Sequence, residues 1–312
     1  MTLADFYRQW SDDAPYIEAH TSGSTGEPKT IRLLKSDMEH SARATCRCFG
    51  IGTGSVLALP LAADYIAGKI MAVRQIVSGA RLIELPQSRT PLRSYSGEAI
   101  DLLAIVPAQI PDLLEALARG VRIRSVIVGG APVSPADESL LAACSADVYA
   151  TYGMTETCSH IALRPMGCDV YTTMPGVAVE CNADGCLRID TGGMSVGVID
   201  TRDMAQVMSP TEFRWLGRMD NVINSGGIKL HPEEIERRIA PAMDGATYYI
   251  TKRASALWGE EAVMVVTDDR VEPAALLERL RRILPGPMCP KDVIIDPEPA
   301  YTASGKLKRR TF

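Results

Sequence analysis

The sequence predicts an α/β protein with a large N-terminal domain, residues 1–217, and a smaller α+β C-terminal domain, residues 218–312. Three observations predict this fold class. Between residues 36 and 150, short apolar runs alternate with helical periodicity, which is typical of a mostly parallel sheet flanked by helices. Residues 165–217 contain many glycines and short strand patterns, which indicate a small β-rich region. From Asp220 onward, the pattern becomes mixed α+β.

The individual elements follow from local periodicity. The first helix is expected to begin with Ser36 or Asp37 as its N-cap, and Pro107 stands near the start of the third. The helices of the large domain are predicted at 38–49, 68–77, 107–118 and 135–143, and its strands at 55–59, 80–85, 102–106, 125–128, 147–150, 187–190 and 195–200. The small domain is predicted to hold helices at 233–239 and 273–284 and strands at 247–251, 262–267 and 292–295. Ligands of such parallel sheets bind beyond the carboxyl ends of the strands.

Composition excludes several classes of protein. The 312 residues are 46% apolar and 23% charged, which is ordinary for a globular protein and excludes disorder, collagen and coiled coil. The net charge of −5 provides no electrostatic surface for nucleic acid or for an anionic membrane. No apolar run approaches the ~20 residues of a membrane helix. The first residues, MTLADFYRQWSDD, lack the apolar core of a signal peptide, so we expect a cytoplasmic protein.

The cysteines and histidines indicate neither a metal centre nor a disulfide framework. The eight cysteines form no CxxC pair and the four histidines are scattered, whereas a zinc site needs paired ligands at short spacing. A chain of this length can bury a hydrophobic core without disulfides. We therefore predict reduced thiols.

The strongest chemical signal is the segment Thr21–Lys29, with the sequence TSGSTGEPK. Small hydroxyl residues and glycines allow backbone N–H groups and hydroxyls to converge on an anion, and Lys29 adds positive charge. A P-loop is excluded because Pro28 stands where that motif needs glycine. Taken alone, the segment predicts a phosphate-binding loop, with a flexible polar turn as the alternative.

Four further segments carry weaker signals. Val126–Pro132 is a strand that ends in two glycines, which allows a flat ligand to approach the backbone but is also common in turns. Tyr149–Thr157 offers an aromatic ring, hydroxyls and a carboxylate for a base, a phosphate and Mg²⁺, although a buried tyrosine and a solvated glutamate would have the same sequence. Gly217–Glu236 is consistent with a linker and a helix start, and Thr302–Arg309 with a solvated basic tail.

In order and spacing, these five segments together resemble the superfamily of acyl-CoA synthetases, adenylation domains and firefly luciferase. The resemblance covers nearly the whole chain from residue 20, and the family's TGD motif corresponds to Thr201-Arg202-Asp203. Within the superfamily, the chain is most similar to the o-succinylbenzoate–CoA ligases of menaquinone biosynthesis. That similarity lies in residues 59–61, 65–69, 105–109, 152–162 (YGMTETCSHIA) and 221–230 (NVINSGGIKL).

The resemblance implies an AMP-forming acid–thiol ligase that makes an acyl-adenylate and then a CoA thioester. ATP, Mg²⁺, coenzyme A and a small carboxylic acid would be its cofactors and partners, with a homodimer left open. Three alternatives stay open: a ligase for another aromatic acid, an enzyme that loads a carrier protein, and a non-catalytic nucleotide-binding relative. Retention of six motif positions of the family argues against the last of these. Those positions are Lys29, Thr155, Glu156, Asp203, Arg218 and Lys306.

The resemblance also assigns roles residue by residue. The ATP phosphates would be bound by Thr21, Ser22, Gly23, Ser24, Thr25, Gly26 and Lys29, the adenine by Gly130, Ala131 and Tyr152, and the ribose by Asp203 and Arg218. The catalytic groups would be Lys306, Thr155 at the α-phosphate, and Glu156 as the Mg²⁺ ligand. The acid would meet Tyr65, Lys69, Ser159 and His160, and CoA would pass Ser225, Gly226, Gly227 and Trp258. Asp220 matches the hinge of a mobile C-terminal lid domain.

The chain departs from the family pattern at four places. The phosphate loop begins at residue 21, so the N-terminal subdomain that usually precedes it is expected to be missing. Thr30 replaces the glycine that follows the loop lysine, Tyr65 stands where many relatives have a histidine, and Arg202 replaces the glycine of TGD. These departures leave the named nucleotide motifs in place.

Overall fold

The computed structural model describes residues 1–20, 30–243, 246–298, 300 and 309–312. The chain divides into two compact units. The first comprises Met1–Glu180, Arg188–Ile199 and Val207–Phe213, and the second comprises Cys181–Leu187, Asp200–Gln206 and Arg214–Phe312. A functional boundary between residues 217 and 218 stays a prediction.

The first unit alternates helices and strands, as its sequence pattern predicts. Its helices are α1 (Leu3–Trp10), α2 (Lys35–Phe49), α3 (Ile66–Ser78), α4 (Ile110–Ala118) and α5 (Pro135–Ala142). Its strands are β1 (Tyr16–His20), β2 (Thr30–Leu34), β3 (Val56–Leu59), β4 (Arg81–Glu84), β5 (Ile100–Ile105), β6 (Ile123–Val128), β7 (Asp147–Gly153), β8 (His160–Pro165) and β9 (Tyr171–Thr173). None of the helices in the described ranges has the length and hydropathy of a membrane span.

A mostly parallel sheet forms the centre of this unit, which confirms the predicted fold class. Strands β4, β3, β5, β6 and β7 lie side by side and parallel, and β8 and β9 continue the sheet antiparallel. The central strands β3, β5 and β6 are buried on both faces, as expected where helices cover both sides of a parallel sheet. Leu103, Val126 and Leu113 of α4 are fully buried in one core cluster.

Four further strands supply the β-rich region. They are β10 (Ala178–Cys181), β11 (Cys186–Asp190), β12 (Val198–Ser209) and β13 (Glu212–Arg218), and they follow β9 in the order β13, β12, β11, β10. The division between the two units passes through these strands. The predicted strand 195–200 is observed only from Val198, as the beginning of the much longer β12.

The second unit is α+β, as predicted. After β13 it contains β14 (Ile223–Ser225), β15 (Ile228–Leu230), α6 (Pro232–Ile239), β16 (Tyr248–Ser255), β17 (Gly259–Val266), α7 (Pro273–Ile283) and β18 (Val293–Ile295). The sheet order is β15, β14, β17, β16, and β18 pairs parallel with β17. Ile250, Met264 and Leu280 of this unit are fully buried in a second core.

The start of α2 corrects one prediction. The helix begins at Lys35, and neither Ser36 nor Asp37 is its N-cap, because β2 continues directly into the helix through Leu34. The Lys35 N–H donates to the Pro15 carbonyl at 2.9 Å, which satisfies one of the four N–H groups that have no acceptor within the helix. Asp37 instead accepts a hydrogen bond from the Ser195 N–H at 3.0 Å.

Candidate active site

The carboxyl ends of β6 and β7 bring two of the predicted motifs side by side. After β6, Gly130 has a φ of +85° and is exposed together with Ala131. A Cβ at Gly129 would lie 2.6 Å from the Thr151 hydroxyl oxygen, which itself donates to the Val128 carbonyl at 3.1 Å. Only glycine fits there, so the backbone after β6 is bare enough for a flat ligand to lie against it.

The loop after β7 carries the predicted catalytic pair. A 3-10 turn, Thr155–Thr157, leaves Glu156 exposed and Thr155 half-buried. The buried Thr157 hydroxyl accepts from the Met154 N–H at 3.0 Å and lies 2.7 Å from the Ser159 carbonyl oxygen. A Cβ at Gly153 would approach that same carbonyl to 2.4 Å, so glycine lets the loop fold back on the strand. The loop therefore holds a carboxylate and a hydroxyl at the edge where ligands of parallel sheets bind.

Tyr152 lies in an aromatic cluster. Its ring makes edge contacts with Tyr171 and Phe213, at centroid distances of 5.8 and 5.2 Å. Tyr171 and Phe213 stack on each other at 5.3 Å. These contacts fix the ring of Tyr152 at the end of β7, while its stacking on adenine stays a prediction.

A buried cation that the motif analysis missed lies beside the same loop. Arg74 of α3 is 1% exposed and donates from Nη2 to the Ser159 hydroxyl at 3.2 Å. Its Nη1 lies 3.1 Å from Met71 Sδ, and its Nε is buried with no hydrogen-bond partner. Burial lowers the pKa of Arg74 to about 10, so the guanidinium is still protonated at neutral pH. Among the described residues, no carboxylate forms an ion pair with it.

The sequence contained a signal for Arg74. It lies on the apolar face of a predicted helix, four residues after Ile70 and three after Met71. A charged residue at such a position is almost never fully buried unless it is paired. The family resemblance does not point to Arg74, because the matching stretch in that helix, residues 65–69, ends five residues before it.

His160 and Ser159 contact α2 as well as Arg74. The His160 Nε2 lies 3.3 Å from the Thr45 hydroxyl oxygen, and the hydroxyls of Ser159 and Ser41 are 2.8 Å apart. Burial, together with the positive charge of Arg74, holds the pKa of His160 well below its ordinary value. His160 is therefore a neutral imidazole at physiological pH.

Lys69 and Tyr65 lie in a different environment. Lys69 is buried, and its Nζ lies 5.7 Å from the Phe6 ring centroid and 3.5 Å from Met1 Sδ, both contributed by the N-terminal segment. Burial lowers the pKa of Lys69, against the opposing charge of Asp64. Tyr65 precedes α3 and is 63% exposed. The described contacts thus join Ser159 and His160 to Arg74, not to Lys69.

In the second unit, the predicted ribose and hinge residues form a charged cluster. Asp203 is buried and accepts from Trp215 Nε1 at 3.2 Å and from Arg218 Nη1 at 3.4 Å. Asp220 binds Arg202 through both carboxylate oxygens at 3.1 Å from Nε, and this hydrogen bonding lowers the pKa of Asp220. The arginine that replaces the family glycine is thus the main partner of the predicted hinge residue.

The predicted CoA residues form a tight hairpin packed on a tryptophan. Gly226 and Gly227 connect β14 to β15 and have φ values of +59° and +86°, as a two-residue turn requires. The Gly226 N–H donates to the Trp258 carbonyl at 2.8 Å. A Cβ on Gly226 would lie 2.6 Å from Trp258 Cε3, while one on Gly227 would meet nothing within 4 Å. Gly227 is therefore the exposed point of this turn, next to Ser225.

Two groups of predicted residues lie outside the described residues. They are Thr21, Ser22, Gly23, Ser24, Thr25, Gly26 and Lys29 of the phosphate loop, and Lys306. Their roles rest on sequence alone.

The predicted magnesium ligand fits the chemistry of that ion. Glu156 and Thr155 offer the oxygen donors that Mg²⁺ prefers, and the Glu156 carboxylate is exposed. Within the described ranges, there is no cluster of three or more His, Cys, Asp or Glu residues suited to a metal. One carboxylate is sufficient where substrate phosphates and water complete the coordination shell.

The fold and the motifs at the carboxyl ends of β6 and β7 define the class of protein to which the chain belongs. The sequence pattern of the AMP-binding enzyme family matches residues 6–193, and the chain belongs to that family. The solved structure of an acyl-CoA synthetase (AMP-forming)/AMP-acid ligase II-like protein from Dyadobacter fermentans is 32% identical. That similarity has a TM-score of 0.66 and covers 98% of this chain and 91% of the other.

More distant relatives have a named substrate. The 2-succinylbenzoate–CoA ligase of Bacillus thuringiensis is 25% identical over 93% of this chain and 68% of its own length. The corresponding enzyme of Enterococcus faecalis is 23% identical over 94% of this chain and 68% of its own length. The o-succinylbenzoate CoA synthetase of Bacillus subtilis, solved with ATP and magnesium ion, shares the fold at 20% identity with a TM-score of 0.81, over 93% of this chain and 68% of that one.

Proposed function

We propose that this protein is an AMP-forming acid–CoA ligase of menaquinone biosynthesis, with o-succinylbenzoate as its acid. Membership of the AMP-binding enzyme family and the names of the curated relatives support the reaction class. The guanidinium of Arg74 is buried and forms no ion pair with a carboxylate in the part of the chain that the structure describes; this observation supports an acid with a second anionic group and carries the proposal.

The proposed reaction has two halves because a carboxylate cannot be attacked directly by a thiol when oxide would have to leave. In the first half, a carboxylate oxygen attacks the α-phosphorus of ATP, which forms an acyl-adenylate and releases pyrophosphate. In the second half, the CoA thiolate attacks the acyl carbon and AMP leaves. Mg²⁺ held by Glu156 would neutralise charge on the phosphates. Thr155 would donate to the α-phosphate, and Lys306 would stabilise the charge that spreads between carboxylate and phosphorus.

The role of Arg74 follows from its unpaired charge. Leaving a cation buried without an anion is costly, and a substrate carboxylate would remove that cost on binding. o-Succinylbenzoate has two carboxylates, of which one must stay unreacted. Arg74 and Ser159 would hold this second carboxylate, which directs the first toward the adenylation site. Lys69 stays a predicted partner of the acid. Its Nζ contacts Met1, whereas Ser159 is hydrogen-bonded to Arg74.

The second half-reaction would use the second unit. Ser225, Gly226 and Gly227 would line the path of the CoA thiol, with Trp258 beside them, and Asp220 would be the hinge of a mobile lid, residues 218–312. An exposed double-glycine turn suits this role because a narrow ligand can pass where side chains are absent. A homodimer and a cytoplasmic location stay predictions.

The decisive experiment measures pyrophosphate release with a panel of aryl acids, with and without CoA. We expect release with o-succinylbenzoate, formation of its thioester when CoA is present, and weak or no release with monoacids. Thioester formation with a different acid would indicate another aromatic substrate, and adenylation that ignores CoA would indicate carrier loading. No release with any acid would indicate a non-catalytic nucleotide-binding relative. As a control, Lys306→Ala should abolish pyrophosphate release yet leave CoA capture of a supplied acyl-adenylate.

A further inference from the structure

Helix α2 contributes two buried hydroxyls that contact the acid-binding loop. Ser41 and Thr45 lie one turn apart, are 3% and 0% exposed, and contact the consecutive residues Ser159 and His160. Neither residue belongs to a family signature quoted above. Their hydrogen bonds determine which protons the loop can offer to a ligand.

The Thr45 hydroxyl has one proton and two neighbouring acceptors. They are the Ser41 carbonyl at 3.2 Å, which can only accept, and His160 Nε2 at 3.3 Å. Donation along the shorter bond, to the carbonyl, leaves Thr45 an acceptor toward His160, and this arrangement places the His160 hydrogen on Nε2. Since the ring is neutral, Nδ1 is then a bare acceptor. His160 in this tautomer repels a carboxylate at Nδ1 and suits a hydrogen-bond donor there.

The proton of Ser41 is determined by elimination. Its hydroxyl makes no other hydrogen bond among the described residues, so if Ser159 donated to Ser41, the buried Ser41 proton would have no acceptor. Leaving a buried donor without an acceptor is costly, and this favours Ser41 as the donor. Ser159 then accepts from both Ser41 and Arg74 Nη2. Its own proton is left for a ligand, and the residue is only half-buried.

We propose that Ser41 and Thr45 are positioning residues that fix the hydrogen-bond polarity of the acid pocket. Ser41 makes Ser159 a donor beside the Arg74 guanidinium, and Thr45 makes His160 an acceptor. Arg74 and Ser159 thus receive the second carboxylate, while His160 is directed toward a hydrogen-donating group or water. This inference rests on the proposed function for the identity of the ligand.

Calorimetric binding of o-succinylbenzoate and of benzoate to the intact protein tests the Ser41 assignment. We expect Ser41→Ala to raise the Kd of the diacid about three- to tenfold, the loss of one net hydrogen bond, and to leave benzoate binding unchanged. Ser41→Thr should restore the diacid affinity to within about twofold. The matched control is Ser78→Ala, which removes a hydroxyl that donates to the Arg74 carbonyl and accepts from the Ala80 N–H, without contacting Ser159, and should leave the affinity for both acids unchanged. Equal losses for both acids, or for Ser41→Ala and Ser78→Ala, would overturn the assignment.

The Thr45 assignment has a test that requires no ligand. The ¹⁵N chemical shifts of the His160 ring should report hydrogen on Nε2 in the wild type and a mixture of tautomers in Thr45→Val. A wild-type Nδ1–H tautomer, or a tautomer that Thr45→Val leaves unchanged, overturns it. If the wild type binds neither acid, the proposed function is wrong, and the Ser41 assignment is wrong with it. The Thr45 assignment is still decided by the tautomer of His160, because that measurement needs no ligand.

Discussion

Two arginines, the fully buried Arg74 of the first unit and the half-buried Arg309 of the second, have opposite surroundings. In the second unit, Arg309 donates to Glu236 Oε2 at 2.8 Å and to the Ile250 carbonyl at 2.7 Å, and Glu233 lies 3.5 Å away. In the first unit, Arg74 contacts a hydroxyl and a thioether, and its Nε has no partner. One guanidinium is matched by carboxylates, and the other is matched by none among the described residues.

The contrast supports the proposal that Arg309 is a structural cation and Arg74 a substrate-binding one. Burial opposes the charge of both, but Glu236 more than compensates at Arg309 and raises its pKa, whereas burial lowers the pKa of Arg74. A matched pair fixes its own segments, here α6, β16 and the described C-terminal residues, and needs no ligand. An unmatched cation is a cost that only an added anion can remove. We therefore expect mutations at the two sites to affect different properties.

The largest effect should be a loss of stability when the pair of Arg309 and Glu236 is broken. Glu236→Gln should lower the free energy of unfolding by about 2 kcal/mol, because removing one partner leaves the half-buried Arg309 undercompensated. Urea unfolding measures this loss. The matched control is Glu234→Gln, which breaks an exposed pair with Arg238 on the same helix and should cost under about 0.5 kcal/mol. Similar losses of unfolding free energy in Glu236→Gln and Glu234→Gln would contradict the distinction between the matched pair and an exposed pair.

The next effect is the pH dependence of stability that we expect from His160, which lies near Arg74. The pKa of His160 is lowered in the folded state, so the unfolded chain binds more protons as pH falls below 6.5. Stability is then fully present above that pH and should decline below it by up to about 1.4 kcal/mol per pH unit. His160→Asn should remove this part of the slope in urea titrations between about pH 5 and 7. An unchanged slope would mean that His160 is not held neutral.

The smallest effect should come from the second buried cation of α3. Lys69→Ala is expected to weaken kcat/KM for the diacid by about tenfold at most, since its described contacts lie with the N-terminal segment. A monoacid should be nearly indifferent to the change. If Lys69→Ala lost more kcat/KM than an Arg74 variant did, and only with the diacid, Lys69 rather than Arg74 would be the residue that binds the second carboxylate. Equal losses on both acids would assign Lys69 to folding.

The sequence predicted what depends on periodicity and motif spacing. The alternating pattern predicted the parallel sheet, and the structure adds close approaches at Gly129 and Gly226 that the sequence did not predict, while the ligand and CoA roles of these glycines stay predictions. Helix α2 begins earlier than predicted, without a side-chain cap, and its first N–H donates to the Pro15 carbonyl. A cap is visible in sequence only when its acceptor is local.

The acid pocket was less predictable because its chemistry depends on contacts distant in sequence. Arg74 and Ser159 are 85 residues apart, and Thr45 and His160 are 115 apart. Local sequence does not specify which of the two buried cations of α3, Lys69 or Arg74, contacts the loop that contains Ser159. The position of Arg74 on the apolar face indicated a buried charge, but only the tertiary contacts connect it to Ser159.

The most direct test of the central claim compares thermal unfolding of the wild type and Arg74→Met, with and without o-succinylbenzoate. Without ligand, the variant should unfold at the same or a higher temperature, because an apolar side chain replaces an unpaired buried charge. With saturating diacid, the wild-type midpoint should rise by several degrees and the variant midpoint should not. A variant that is destabilised without ligand, or that gains as much from the diacid as the wild type, would contradict the assignment of Arg74 as the binding cation.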